Sequence, residues 1–216
     1  MGDWHDHLAR ARERYTDGLG RLPDDPAERQ RQLTRTGNAA GAAALSLLML
    51  GRREESGEWF RRAAERYRES WEGAPPGSWG RPIGAIKSRL LAGDGAGADA
   101  DARWALEAGA ADAESPIGGY AATLALLVLG RDGEAAKQAE RIRRAEGFPA
   151  DVGDALRALA EGDSAGYEAA ARSVLASFET RTEYLEDIPV ADTVLVLQEL
   201  AAPRGLAVEL ESALLP

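Results

Sequence analysis

The chain has no cysteine in 216 residues. Disulfides, thiolate nucleophiles and Cys-ligated metal sites are therefore excluded, and the absence suits a reducing compartment. Histidine is nearly missing too: His5 and His7 stand alone, both in Asp3-Trp4-His5-Asp6-His7. The rest of the chain offers no imidazole for general base catalysis. On a helix, positions i and i+2 point to different faces, so the two rings do not converge on one ion. The expectation is an exposed first helical turn and no metal. Aromatics make up only 6% of the chain, so Leu and Ala must fill the core.

Long apolar runs are also lacking. The longest, Ala39–Leu50 and Tyr120–Leu129, fall well short of the roughly 20 residues that span a bilayer and read as buried core helices. The N-terminal segment lacks the basic and apolar regions of a signal peptide. Asp6 breaks the pattern required for myristoylation. A cytoplasmic protein with no membrane association is expected. Basic residues are outnumbered, 26 against 36 acidic, for a net charge of −10. That balance argues against nucleic acid, whose phosphates demand Lys/Arg surfaces, and favours solubility or a basic partner. Lys87 and Lys137 are the only lysines.

What remains is helical. Ala and Leu are the strongest helix formers, and strand-favouring types are sparse. Breakers recur along the chain: Pro23 to Pro26, Gly73 to Gly80, Gly93 to Gly97, Gly130 to Gly133, Gly147 to Pro149, Gly162, Pro189 and Pro203. Between them the periodicity predicts about ten helices, over 4–20, 27–50, 53–72, 80–92, 97–109, 116–130, 133–146, 150–161, 164–179 and 190–203. Pro26, Pro116 and Pro189 read as first-turn prolines. The tail 205–216 reads as extended and held down by its leucines. No linker is long enough to divide the chain, so residues 1–216 form one all-α domain.

One pattern repeats. An apolar helix ends in Gly51, Gly93, Gly130 or Gly162, and an Ala-rich amphipathic helix follows. Nine residues after each Gly stand Phe60, Ala102, Ala139 and Ala171; twelve after stand Ala63, Ala105, Ile142 and Val174. All eight are apolar, as the inner face of a second helix requires. This is the physics of a helical hairpin, with Gly supplying a left-handed cap. Units of this kind resemble tetratricopeptide repeats and imply an antiparallel, right-handed superhelical array. Gly51, Ala63 and Tyr67 match three positions of that motif.

No constellation carries chemistry. Gly93-Asp94-Gly95-Ala96-Gly97 follows a helix, has no Lys and carries an acid, so it reads as an interhelix turn and not a phosphate loop. The Arg61, Arg62, Arg66 and Arg68 run lies among Glu54, Glu55, Glu58, Glu65 and Glu69. That spacing makes a self-neutralising, solvated face. Catalytic residues, metal ligands and cofactors are expected to be none. Two candidate binding features remain. Trp79 beside Arg81, in Pro75-Pro76-Gly77-Ser78-Trp79-Gly80-Arg81-Pro82, is either a recognition anchor or a packing residue that sets the next helix's angle. Glu183, Glu186, Asp187 and Asp192 either cap a helix start or form an acidic patch for a basic partner.

The last 60 residues carry a further pattern. An acidic turn with an aromatic helix, Leu159-Ala160-Glu161-Gly162-Asp163-Ser164-Ala165-Gly166-Tyr167, runs on through an Arg- and Glu-bearing helix to Thr182. Pro189, the apolar helix Val190–Leu200, Arg204-Gly205-Leu206 and the ending Leu214-Leu215-Pro216 follow. This stretch resembles the immunity protein 49 family. The resemblance implies an all-α bacterial protein that neutralises a cognate toxin by binding it. The alternative is a tetratricopeptide-like scaffold that holds a peptide or protein partner. Both are non-enzymatic.

Overall fold

Helix starts are set by side chains that accept hydrogen bonds from otherwise unpaired backbone N–H groups. Asp3 accepts from His5, Asp25 from Glu28, Asp94 from Gly97, Ser115 from Gly118 and Asp163 from Gly166. In the computed structural model, which describes residues 3–216, the helices are α1 (Trp4–Gly20), α2 (Pro26–Met49), α3 (Arg53–Glu69), α4 (Gly80–Leu91), α5 (Gly95–Glu107), α6 (Pro116–Val128), α7 (Asp132–Arg143), α8 (Ala150–Glu161), α9 (Ser164–Glu179) and α10 (Asp192–Ala201). No strand forms among the described residues. The expectation about a leader or acylation signal starts at Met1 and Gly2, which lie outside them. None of the described helices is long and apolar enough to cross a membrane.

Helix ends follow the hairpin pattern. Gly51, Gly93, Gly130 and Gly162 sit at φ of 73°, 65°, 68° and 72°, the left-handed region where a Cβ is strained. The eight apolar positions nine and twelve residues later are all buried. Two expectations are corrected. Gly95 and Gly97 belong to the first turn of α5, drawn in by the Asp94 cap, so only Gly93 serves the turn. Pro189 opens no helix: α10 starts at Asp192 behind Ala191, and Pro189 lies in the preceding connection.

Consecutive helices pack against one another from α1 to α10. The first helices of the hairpins form a row in which α4 touches α6 and α6 touches α8. The chain then turns back on itself. Helix α10 packs against α4 and α8 on that row, and Val194, Val196, Leu197 and Leu200 are buried there. Each contributes about 2 kcal/mol of apolar burial. The tail follows: Leu206 is buried, and Val208, Leu210, Leu214 and Leu215 pack against the same core. Two polar links fasten this return, one buried and one half-exposed. Tyr167, fully buried, donates its hydroxyl hydrogen to Gln198 Oε1 at 2.9 Å. Arg204 donates to the Leu127 carbonyl at 2.8 Å and to Asp132 at 2.6 Å.

Candidate functional site

The connection from α9 to α10, residues 180–191, crosses from the C-terminal helices to the N-terminal ones. Ile188 and Val190 are buried in the core built by α1, α2 and α3. Arg14 on α1 holds the Glu186 carboxylate at 2.9 Å. At the other end the Tyr184 hydroxyl donates to the Phe178 carbonyl at 2.7 Å. This strap contains the only non-glycine residues at positive φ among those described, Glu186 at 56° and Asp187 at 60°. A left-handed L-residue costs about 1–2 kcal/mol, and such strain persists only where surrounding contacts over-determine it.

Beneath the strap lies a cavity of about 410 Å³ between α2 and α4. Its origin is legible in two helical stripes. Thr34, Asn38, Gly41 and Leu45 recur at helical spacing on α2; Gly80, Gly84, Lys87 and Leu91 do so on α4. Small residues keep the space open, since a Cβ built on Gly41 or Gly80 would meet nothing within 4 Å. Gly84 acts differently. Its missing Cβ would lie 2.7 Å from the Tyr67 ring, and that of Gly37 3.1 Å from the same ring. The two glycines make the slot that admits Tyr67, whose hydroxyl then donates to Asn38 Oδ1 at 2.8 Å.

Charge enters from both sides. Lys87 donates to Asp192 at the head of α10 and, at 3.4 Å, to Thr193 Oγ1. Burial works against the Lys87 ammonium, but the Asp192 carboxylate beside it prevails and holds the pKa above the usual lysine value. Burial raises the Tyr67 phenol, and the Asp192 and Glu186 charges raise it further, so it stays protonated. Arg181 stacks on the Phe178 ring at the cavity mouth, and Glu183 stands two residues along. Neither forms an ion pair among the described residues.

The acidic residues singled out from sequence thus divide. Glu183, Glu186 and Asp192 line the cavity. Asp187 is exposed on the strap, and its charge offsets part of the lowering that burial and Arg10 impose on the His7 ring. They do not cap a helix: α10 has no side-chain cap, and only Asp192 lies in its first turn. Trp79 and Arg81 lie elsewhere. Trp79 is 8% exposed, packed against Trp71 and over the missing Cβ of Gly118, so it is an internal packing residue and no exposed anchor. Arg81 turns inward as well, donating to the Ser70 carbonyl at 3.0 Å and to Gln30. Together they fix the entry into α4.

Two further expectations need correction. His7 is buried, not part of an exposed turn; it stacks near Trp4, with Nδ1 beside Arg10. Only His5 is exposed. Among the described residues no group of acids and imidazoles has the makings of a metal site. The arginine run of α3 is only partly a solvated face. Arg66 pairs with Glu69 at 2.8 Å, but Arg62 covers the Trp59 ring and Arg68 reaches buried Asp101 at 2.6 Å.

Sequence reasoning missed the cavity and with it Asn38, Tyr67, Lys87 and Arg181. A signal existed for Lys87. It is one of two lysines and falls in an apolar stretch, Ile83 to Leu91, at the spacing of Gly80 and Gly84. Comparison with known protein families, with curated proteins and with solved structures finds no match for this chain.

Proposed function

We propose that this chain is a non-enzymatic binding protein that presents the strap 180–191 to a basic protein partner. One observation carries the reading. Leu185 is 69% exposed on the strap, with exposed Glu183 and Asp187 two residues to either side, on a backbone held in a strained, fixed shape. Isolated exposed leucines are ordinary. A leucine raised on a rigid acidic loop has the composition of a docking point: an apolar anchor with a charged rim that steers a basic surface. The overall charge of −10 favours the same partner.

The toxin-immunity reading is the specific form of this proposal. Its support is the resemblance of the last 60 residues, the stretch that builds α9, the strap and α10. A rigid helical body that displays one preordered loop suits a protein that occludes a partner, because little ordering entropy is lost on binding. The alternative, a tetratricopeptide-like array with a peptide in its groove, draws on the hairpin pattern and its left-handed glycines. Against it stands α10, which lies on the row of α4 and α8 with its apolar side chains fully packed. A peptide would have to displace that helix.

The test is capture of partners from the source cell by the tagged protein, at low and high salt, with Leu185 intact or changed to Asp. The expected result is one basic protein, lost at high salt and lost from Leu185→Asp. A partner retained by the variant, or indifferent to salt, refutes the proposal.

A further inference from the structure

The cleft beneath the strap is a concave space walled by apolar side chains and open to solvent at Arg181 and Glu183, the form that small-ligand sites take. A volume of about 410 Å³ lies within the range of small-ligand sites. Its walls are of three kinds. Leu45, Phe60, Ile83 and Phe178 are apolar. Asn38 is neutral and polar; its Oδ1 accepts from Tyr67, while its amide N–H groups have no protein acceptor among the described residues. The third wall carries charge of both signs.

The charges decide the ligand class. Lys87 has three N–H donors and uses two, on Asp192 and Thr193. Arg181 at the mouth has no carboxylate partner among the described residues. Asp192 keeps acceptor capacity beyond Lys87, and Glu183 has none of its own engaged. A simple anion entering here would meet Asp192 and Glu183; a simple cation would meet Lys87 and Arg181. Like charges brought together in a partly desolvated site are strongly disfavoured. Lys87 and Asp192 offset each other as an ion pair, and a ligand with both charges complements that pair together with exposed Arg181 and Glu183, while the apolar wall suits a hydrophobic body between its charges.

We infer that this cavity binds a small apolar zwitterion: a free amino acid with a large aliphatic or aromatic side chain. Its carboxylate takes hydrogen bonds from Lys87 and Arg181, and its ammonium donates to Asp192 and Glu183. The side chain fills the space kept open by Gly41 and Gly80. The site shares Glu183 with the strap proposed to meet a partner, but its ligand contacts lie within one chain and are tested without a partner.

Calorimetric titration tests it, with L-phenylalanine and L-leucine as probes. N-acetylphenylalanine, which lacks the ammonium, and phenylalaninamide, which lacks the carboxylate, are the comparators. The free amino acids should bind, and each blocked analogue should bind about tenfold more weakly or worse, the loss expected for one charge-assisted contact. Gly41→Leu places a side chain into open space on a helix and should fold, checked by circular dichroism, yet bind none of them. Arg181→Ala, at an exposed position, should weaken phenylalanine several-fold. The inference is overturned if neither amino acid binds wild-type protein at millimolar concentration. It is equally overturned if a blocked analogue, standing in for a peptide end, matches the free amino acid, or if Gly41→Leu still binds.

Discussion

Two glycines on facing helices show how differently one residue type serves this chain. Gly41 faces open space, so Gly41→Ala loses nothing sterically and should gain about 0.5–1 kcal/mol from helix propensity. Gly84 faces the Tyr67 ring at 2.7 Å, so Gly84→Ala should cost about 1–3 kcal/mol through forced repacking. Urea unfolding of both variants checks the contrast in sign. His7 adds a pH signature. Burial lowers its pKa from the ordinary 6.5, and the Arg10 charge lowers it further. The folded state therefore favours the neutral ring. That stability is intact above pH 6.5 and declines as pH falls toward the folded pKa, because the unfolded chain takes up the proton first. Replacing His7 by Leu should flatten this part of the stability–pH curve. A curve unchanged by the substitution would contradict the assignment.

Among the elements, the helices were legible and the strap was not. Helix starts depend on local chemistry, and Asp25, Ser115 and Asp163 stand where capping predicts. The left-handed glycines and the apolar positions behind them are also short-range facts. The strap has no such code. Its shape comes from Ile188 and Val190 finding a core built 125 or more residues earlier in the chain (Ile188 to Ala63 at the nearest), and from Arg14. No local pattern announces contacts at that separation, so its acids read as a helix cap. The cavity is hidden for the same reason: Lys87 and Asp192 are 105 residues apart. For Trp79 and Arg81 the sequence left anchor and packing residue both open, because a Trp-Arg pair among prolines suits either, and the contacts with Gly118 and Ser70 decide for packing. The strap's strain is itself testable. Asp187 uses its side chain in no hydrogen bond, so Asp187→Gly should relieve about 1 kcal/mol at φ 60°. Glu186→Gly gains the same relief but gives up the Arg14 link, and its net effect should fall below that of Asp187→Gly. Thermal unfolding separates the two.

At the scale of the molecule, an array of hairpins is closed by its own C-terminal segment. Helix α10 seals the row formed by α4 and α8, while the strap ties the last helices to the first. The surface proposed for a partner is the exposed part of the strap, Leu185 with Glu183 and Asp187. Ile117, 47% exposed at the start of α6, is the other large exposed apolar residue among those described and serves as the control. The most direct measurement compares capture of the basic partner by wild-type protein, Leu185→Asp and Ile117→Asp, at low and high salt. The account predicts that wild-type and Ile117→Asp hold the partner at low salt and release it at high salt, while Leu185→Asp fails to hold it at all. Equal capture by Leu185→Asp, or loss from Ile117→Asp alone, would contradict it.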